Sequence, residues 1–239
     1  MRWAWVLLAG CGRIDFDGRL ADAPIASDVR VDAPAPIMYA QSVVATGFNG
    51  STTTFTFTPM HVGDAVLIQV GCFGNSSNPL VALVAPGWTF EPLGALMAGP
   101  GQFAQTLAAI VPDLTPVTVT ETWTNISCGS GGAIGDELTN VDPTGGAVTF
   151  DAHVETSGVG DCSADITTGN DNDAIWAGCQ SNASVLSVGP GFTKRTDDGG
   201  DWTETKVTTD PAGTVEHVTF GNTAGQGFSL GVVTVKLGG

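Results

Sequence analysis

Basic residues are scarce in this chain. Its 239 residues include 8 Lys and Arg against 24 Asp and Glu, which gives a formal net charge of −16. None of the basic residues lies between Val31 and Thr193, a stretch that carries 14 Asp and Glu. Nucleic-acid binding requires clustered Lys and Arg to contact phosphates, and an anionic lipid surface repels an acidic chain. The composition therefore excludes nucleic acid as a partner and offers no basic face for lipid headgroups.

Long apolar runs are also missing from the body of the chain. After the first residues, the most apolar stretch covers 64–73, which is too short for a membrane-spanning helix. Hydrophobic residues make up 42% of the chain and charged residues 13%, values typical of a globular protein rather than a disordered one. The length fits one domain or at most two small ones.

The first residues form the clearest motif. One positive charge at Arg2 precedes the short apolar run 3–9, and small residues follow, as in a secretory signal. The sequence Leu8-Ala9-Gly10-Cys11 resembles the lipobox of bacterial lipoproteins. In that family the cysteine thiol is acylated with diacylglycerol and the chain is cut just before it. The resemblance implies removal of residues 1–10 and lipid attachment at Cys11; the alternative is a chance apolar start with an ordinary buried cysteine.

The segment after Cys11 has the composition of a tether, and its first residue bears on which membrane holds the anchor. Residues 11–36 are rich in Asp, Ala and Pro, a composition that packs no core and is stiffened by proline. Gly12 stands where enteric-type lipoproteins retained at the inner membrane carry Asp, so the resemblance favours the outer membrane of a Gram-negative cell. We expect a lipid anchor at Cys11, an acidic stalk to residue 36 and a folded domain over 37–239.

The domain 37–239 reads as all-β. Alternating or continuous apolar runs rich in Thr, Val and Phe are separated by Gly, Pro and Asp turns. This spacing predicts a two-sheet antiparallel sandwich. A helix is the alternative for 102–111. Strands are predicted at 51–58, 64–73, 102–111, 117–123, 147–154, 174–179, 203–208, 214–220 and 228–237.

Two motifs recur about a hundred residues apart. Asp64-Ala65-Val66 returns as Asp173-Ala174-Ile175, an offset of 173 − 64 = 109, and Pro86-Gly87-Trp88-Thr89 returns as Pro190-Gly191-Phe192-Thr193. The repetition predicts two related halves that together close one sandwich, unless sandwiches simply reuse similar turns. The pattern over 37–239 resembles the jelly-roll or concanavalin-like surface domains of bacteria.

Four cysteines remain after Cys11. An even number in an exported chain predicts two disulfides, for which three connectivities exist. Cys162 and Cys179 lie symmetrically about residues 170–171, so a hairpin there would place them face to face. This favours the pairs Cys162–Cys179 and Cys72–Cys128. A metal-thiolate site is the alternative, although no Cys-x-x-Cys pair or nearby histidine supports it.

The familiar catalytic motifs fail on inspection. Residues 227–231 match G-x-S-x-G, but no Asp, Glu or His follows Ser229 and the segment reads as a strand. His61, His153 and His217 are isolated along the chain. Phosphate-binding glycine loops are absent from the sequence.

Carboxylates offer the enzymatic alternative. Cleavage of a glycoside requires two carboxyl groups on either side of the sugar. The candidates are Glu121, Asp136, Glu137 and Glu155. Asp136 and Glu137 are adjacent, so a strand would point them to opposite faces.

Acidic turns and tryptophans are the remaining polar signals. Asp197, Asp198 and Asp201 concentrate oxygen atoms on one turn, which suits calcium, although Asx-rich turns also form without an ion. Trp202 follows this turn and is a candidate for stacking on a sugar; the alternative is a tryptophan that caps the sandwich edge. Trp88 and Trp123 are predicted in the core.

These observations favour a lipid-anchored protein of the cell envelope. We expect a non-catalytic β-sandwich for binding or adhesion, with a carbohydrate or another surface protein as its partner, and no cofactor other than calcium. A polysaccharide-active hydrolase with a carboxylate pair and a purely structural envelope protein are the alternatives.

Overall fold

The described chain consists of antiparallel β-strands joined by turns. The structure is a computed structural model, and it describes residues 35–48, 51–74, 80–124, 128–142 and 150–238. These residues belong to a compact unit that begins at Pro34. The predicted signal segment, Cys11 and the tether up to residue 34 lie outside the described residues. Within the described part, no helix is long and apolar enough to span a membrane.

The first half of the body contains one large and one small sheet. The large sheet has the strand order β1-β9-β3-β7-β5, with β6 beside β5 on the same edge of β7, and the small sheet has the order β2-β8-β4. The strands are β1 (Met38–Phe48), β2 (Thr52–Phe57), β3 (Ala65–Gly74), β4 (Leu80–Val84), β5 (Glu91–Pro92), β6 (Met97–Gly99), β7 (Gln102–Ile110), β8 (Val117–Trp123) and β9 (Cys128–Thr139).

The second half repeats this plan. Its large sheet has the order β10-β17-β12-β15-β14 and its small sheet the order β11-β16-β13. The strands are β10 (Phe150–Val159), β11 (Cys162–Thr167), β12 (Ala174–Ser181), β13 (Val185–Ser187), β14 (Thr193–Asp198), β15 (Asp201–Val207), β16 (Val215–Asn222) and β17 (Gly227–Val235). The strand orders of the two halves correspond, with β3 matching β12 and β8 matching β16, except that β5 and β6 of the first half together take the place of β14. The predicted all-β sandwich class and the predicted duplication are therefore confirmed.

The sequence predicted that the two halves together close one sandwich. Instead, each half forms its own sandwich of one large and one small sheet. One core lies between the large and small sheets of the first half, around Ile68, Val119 and Trp123. A second lies between the sheets of the second half, around Ile175, Phe220 and Leu230. A third joins the two large sheets through side chains such as Leu67 and Trp176. The reason is that β3 and β12 are apolar on both faces, so each large sheet is covered on both sides.

The contact between the large sheets depends on a reciprocal fit of glutamine and glycine. With the offset of 109, Gln69 of β3 matches Gly178 of β12, and Gly71 matches Gln180. A Cβ on Gly178 would lie 3.1 Å from Gln69 Oε1, and a Cβ on Gly71 would overlap the Gln180 amide. Gln180 Nε2 donates to the Gln69 carbonyl at 3.2 Å. The glutamine of the other half thus fills the space at Gly71, and at Gly178 it shares the space with the Trp176 ring, which would lie 2.8 Å from the added Cβ.

The predicted pair Cys162–Cys179 forms a disulfide, but its geometry differs from the expected hairpin. β11 pairs with β16 in the small sheet, whereas β12 pairs with β15 and β17 in the large sheet. The chain between the two cysteines therefore crosses from one sheet to the other, and the bond spans the core with Cα atoms 6.4 Å apart. Cys72 is also disulfide-bonded; the side chain of Cys128, its predicted partner, is not among the described ones.

Candidate functional site

Both halves carry the same tight turn at the repeated Pro-Gly motif. The Trp88 amide donates to the Ala85 carbonyl at 3.2 Å and the Phe192 amide to the Gly189 carbonyl at 3.1 Å. Gly87 and Gly191 both have φ of 79°. Proline followed by a glycine with positive φ defines a type II turn. The turn is therefore a conserved feature of the internal repeat, and the aromatic residue after it can be compared between the halves.

The aromatic residue differs in exposure between the two turns. Phe192 is buried in the core of the second half, with 8% of its surface exposed. Trp88 is half-buried, and its indole packs against the Phe90 ring at 5.7 Å and the edge of Phe57 at 5.5 Å between ring centroids. The expectation that Trp88 is a core residue is thus only partly right, whereas Trp123 is 1% exposed as predicted.

The remaining part of Trp88 borders a surface cleft of about 300 Å³, which we call the Trp88 cleft. Its walls are the turn residues Pro86 and Trp88 and the segment from Asp113 to Thr118 that leads into β8. The amide of Thr115 donates to Asp113 Oδ1 at 2.8 Å, an Asx turn that fixes the carboxylate at the rim. Thr118 also lines the cleft, and its hydroxyl lies 3.1 Å from that of Thr56. An aromatic ring beside fixed acceptors is a surface suited to a hydroxyl-rich ligand.

Trp202, the predicted sugar-stacking residue, already has a partner. Lys194 Nζ lies 4.0 Å from the centre of its ring. The same ammonium group bonds Asp197 Oδ2 at 2.8 Å, and this bond lowers the pKa of Asp197. Because a cation covers the half-buried ring, Trp202 is a poorer platform than Trp88.

The three aspartates predicted to bind calcium have separate partners or environments. Asp197 pairs with Lys194, and Asp201 Oδ1 accepts the Ser181 amide at 2.8 Å. Burial raises the pKa of Asp198 and raises that of Asp201 to about 7. Among the described residues, His61, Asp64 and Glu137 form the one group of three or more His, Cys, Asp or Glu that brings ligand atoms within 4.8 Å of one another. Calcium at the 197–201 turn remains a prediction.

The group of His61, Asp64 and Glu137 holds a loop. Glu137 Oε1 accepts the amides of Met60 and His61 at 2.7 and 3.2 Å, and Gln41 donates to its other oxygen. His61 Nδ1 lies 3.1 Å from Asp64 Oδ2. Burial raises the pKa of Asp64 to about 6. These bonds fix the residues that precede β3.

The four carboxylates weighed for glycoside cleavage do not face one another in a groove. Glu121, Asp136 and Glu137 are fully buried. Glu121 accepts the indole N–H of Trp123, Asp136 faces the second half, and Glu137 faces the loop before β3, so the adjacent pair points to opposite faces as expected. Glu155 borders a cleft of about 510 Å³. Its Oε1 accepts the Thr106 amide at 3.1 Å, and burial raises its pKa.

The remaining sequence candidates occupy structural positions. Ser229 is buried within β17, and its hydroxyl accepts a hydrogen bond from Gln102 Nε2 at 3.0 Å, so the predicted strand at this G-x-S-x-G match is confirmed. His217 pairs with Asp165 at 2.7 Å on the surface. His153 lines the same cleft as Glu155.

Comparison with known proteins adds no family to this description. No family model matches the chain, and no curated protein and no solved structure matches it either.

Proposed function

We propose that this chain is a lipid-anchored protein of the cell envelope whose β-sandwich body binds a carbohydrate, without catalysis, at the Trp88 cleft. The observation that carries the proposal is the contrast between the repeated turns. The second half buries the aromatic residue of the motif, whereas the first half leaves Trp88 half-exposed beside the fixed carboxylate of Asp113. An apolar ring takes the C–H face of a sugar, and fixed oxygen atoms accept hydrogen bonds from its hydroxyl groups.

The anchor is the second part of the proposal. It rests on the resemblance of residues 8–11 to a lipobox and on the acidic, proline-rich segment up to residue 36. A stalk of this composition would hold the sandwich away from the membrane. Gly12, which stands where inner-membrane lipoproteins of enteric type carry Asp, supports placement at the outer membrane.

Replacement of Trp88 tests the binding site. We expect Trp88→Ala to weaken binding to its glycan at least about tenfold, a loss of about 1.4 kcal/mol, because the stacking surface disappears. Trp88→Phe keeps an aromatic ring and should retain part of the affinity. Binding is measured on a glycan array and then by calorimetry, with full-length protein carrying Cys11→Ser to avoid lipid.

Trp202→Ala is the matched control, since Lys194 covers that ring and we expect unchanged binding. If Trp88→Ala binds as well as the parent protein, the Trp88 cleft is not the site. An array that stays blank with and without calcium would favour the structural envelope protein.

Replacement of Cys11 tests the anchor separately. We expect the unmodified chain to incorporate a clickable fatty acid and to fractionate with the outer membrane. Cys11→Ser should lose the label and leave the membrane fraction, because the thiol is the acylated group. Cys72→Ser controls for general cysteine labelling; a label that survives Cys11→Ser would disprove the anchor.

A further inference from the structure

The Pro86–Thr89 turn separates two clefts. Pro86 and Trp88 line the Trp88 cleft, whereas Gly87, Thr89 and Glu91 line a second cleft of about 220 Å³, which we call the Glu91 cleft. The neighbouring residues Pro112 and Asp113 divide in the same way, the first to the Glu91 cleft and the second to the Trp88 cleft. The two clefts are therefore neighbours on either side of one turn.

The two clefts offer similar chemistry on a small scale. Each combines a carboxylate and a threonine, Asp113 and Thr115 in one and Glu91 and Thr89 in the other. Trp88 adds a half-buried ring to the first cleft, whereas Phe150, which lines the second, is a buried core residue with 8% of its surface exposed. Their volumes lie at or below the lower end of the roughly 300–1,000 Å³ that holds a drug-sized ligand. Two small neighbouring sites of this kind suit a polymeric ligand whose monomer unit is small.

The charge around the clefts restricts the kind of sugar that the ligand can contain. Among the described residues, no Lys or Arg lines either cleft, and carboxylate oxygens accept hydrogen bonds. A ligand that supplies hydroxyl donors fits these walls, whereas an anionic sugar would meet Asp113, Glu91 and a chain of net charge −16. The walls thus favour a neutral polysaccharide.

Gly87 belongs to the turn between the clefts and lines the Glu91 cleft. Its φ is 79°, and a Cβ built on it would meet no atom within 4 Å, so the space above the turn is open. A ligand chain that crosses the turn would pass over this glycine.

We propose that the Trp88 and Glu91 clefts are successive subsites for one neutral polysaccharide chain that passes over Gly87. This inference rests on the proposed carbohydrate-binding function and adds the class and minimum length of the ligand. A single sugar unit occupies the Trp88 cleft alone, and affinity rises when the next units reach the Glu91 cleft.

Substitution of Gly87 by Asn tests the path with little risk to the fold. Asparagine is accepted at the third position of a type II turn, and Asn140 and Asn172 of this chain already have φ of 63° and 62°. Gly191→Asn places the same side chain on the equivalent turn of the second half, whose φ is also 79°, and is the matched control.

The probes are neutral cello-, manno- and xylo-oligosaccharides from the monosaccharide to the hexasaccharide, measured by calorimetry on the full chain with Cys11→Ser. We expect affinity to rise about tenfold or more with length in at least one series. Gly87→Asn should remove that gain and leave monosaccharide affinity within about twofold, whereas Gly191→Asn should change neither. Glu91→Gln should also reduce the gain.

Several results would overturn the inference. Equal affinity for short and long oligosaccharides, or a length gain that survives Gly87→Asn, would overturn the two-subsite arrangement while the Trp88 cleft still stands. Binding confined to anionic oligosaccharides would overturn the ligand class. Failure of the proposed function itself would appear differently, as no binding to any oligosaccharide or as full binding by Trp88→Ala.

Discussion

Raising the pH from about 5 to about 9 is expected to lower the free energy of unfolding by an amount on the order of several kcal/mol. The cause is a set of carboxyl groups whose pKa is raised mainly by loss of solvent around them. Burial raises the pKa of Glu121 and Glu204 to about 8, that of Asp201 to about 7, and those of Asp64 and Asp136 to about 6. Chemical denaturation at a series of pH values measures the effect.

The sign follows from the direction of these shifts. A raised pKa in the folded chain means that folding favours the protonated carboxyl group. The resulting stability is fully present below the ordinary pKa of about 4 and is lost as the pH rises through the folded values of about 6 to 8. Each pKa unit corresponds to about 1.4 kcal/mol.

Glu121→Gln isolates one of these groups. Glutamine is neutral at every pH and keeps an oxygen that accepts the Trp123 indole N–H. We therefore expect the variant to unfold less readily than the parent protein at pH ~9 and to show a flatter pH profile above pH ~7. Glu91→Gln, at an exposed carboxylate, is the control and should follow the parent profile. A Glu121→Gln profile that matches the parent at every pH would disprove this role of Glu121.

The strands with a continuous or alternating run of apolar residues were predicted from the sequence. The run 64–73 and the alternating run 117–123 became β3 and β8, and 102–111 became β7 rather than a helix. β9 was missed because it is rich in glycine, a residue depleted in strands. Its glycines are needed for close approach: a Cβ on Gly132 would lie 2.8 Å from the Ala45 carbonyl oxygen.

The duplication was visible in the sequence, but the number of sheets was not. Periodicity says that β3 is covered on both faces and does not say by what. The cysteine prediction shows the same limit, because facing cysteines arise both across a hairpin and across a core. The pair Cys162–Cys179 was predicted from a hairpin, and the disulfide does form. It forms across the core between two sheets, however, and not across a hairpin.

The sequence placed the candidate ligand-binding residue at Trp202, whereas the geometry favours Trp88 as the candidate. An aromatic residue beside a carboxylate was expected at Trp202, where Lys194 covers the ring. Trp88 is half-buried like Trp202, but Phe90 and Phe57 cover only part of its ring and no cation lies over it among the described residues. The sequence did contain a signal for Trp88. The internal repeat retains the turn but has Pro-Gly-Trp-Thr in the first half and Pro-Gly-Phe-Thr in the second, so the two halves differ at the aromatic position.

Trp176→Ala is expected to destabilise the protein by about 3–5 kcal/mol. Trp176 is fully buried between the two large sheets, so the alanine variant would leave a cavity there. The indole Nε1 also donates to Asp136 Oδ2 at 2.7 Å, which links β12 of the second half to β9 of the first. Denaturant unfolding measures the loss.

Trp176→Phe separates the hydrogen bond from the packing. Phenylalanine keeps a ring in the interface and removes the N–H donor, so we expect a smaller loss of about 1–3 kcal/mol. Asp136 would then keep its bond from Thr196 Oγ1 at 2.8 Å, and losing one of its donors should raise its pKa further. The loss from Trp176→Phe should therefore grow as the pH rises above about 6 and shrink in an Asp136→Asn background. A Trp176→Phe variant as stable as the parent at every pH would mean that packing alone joins the halves at this point.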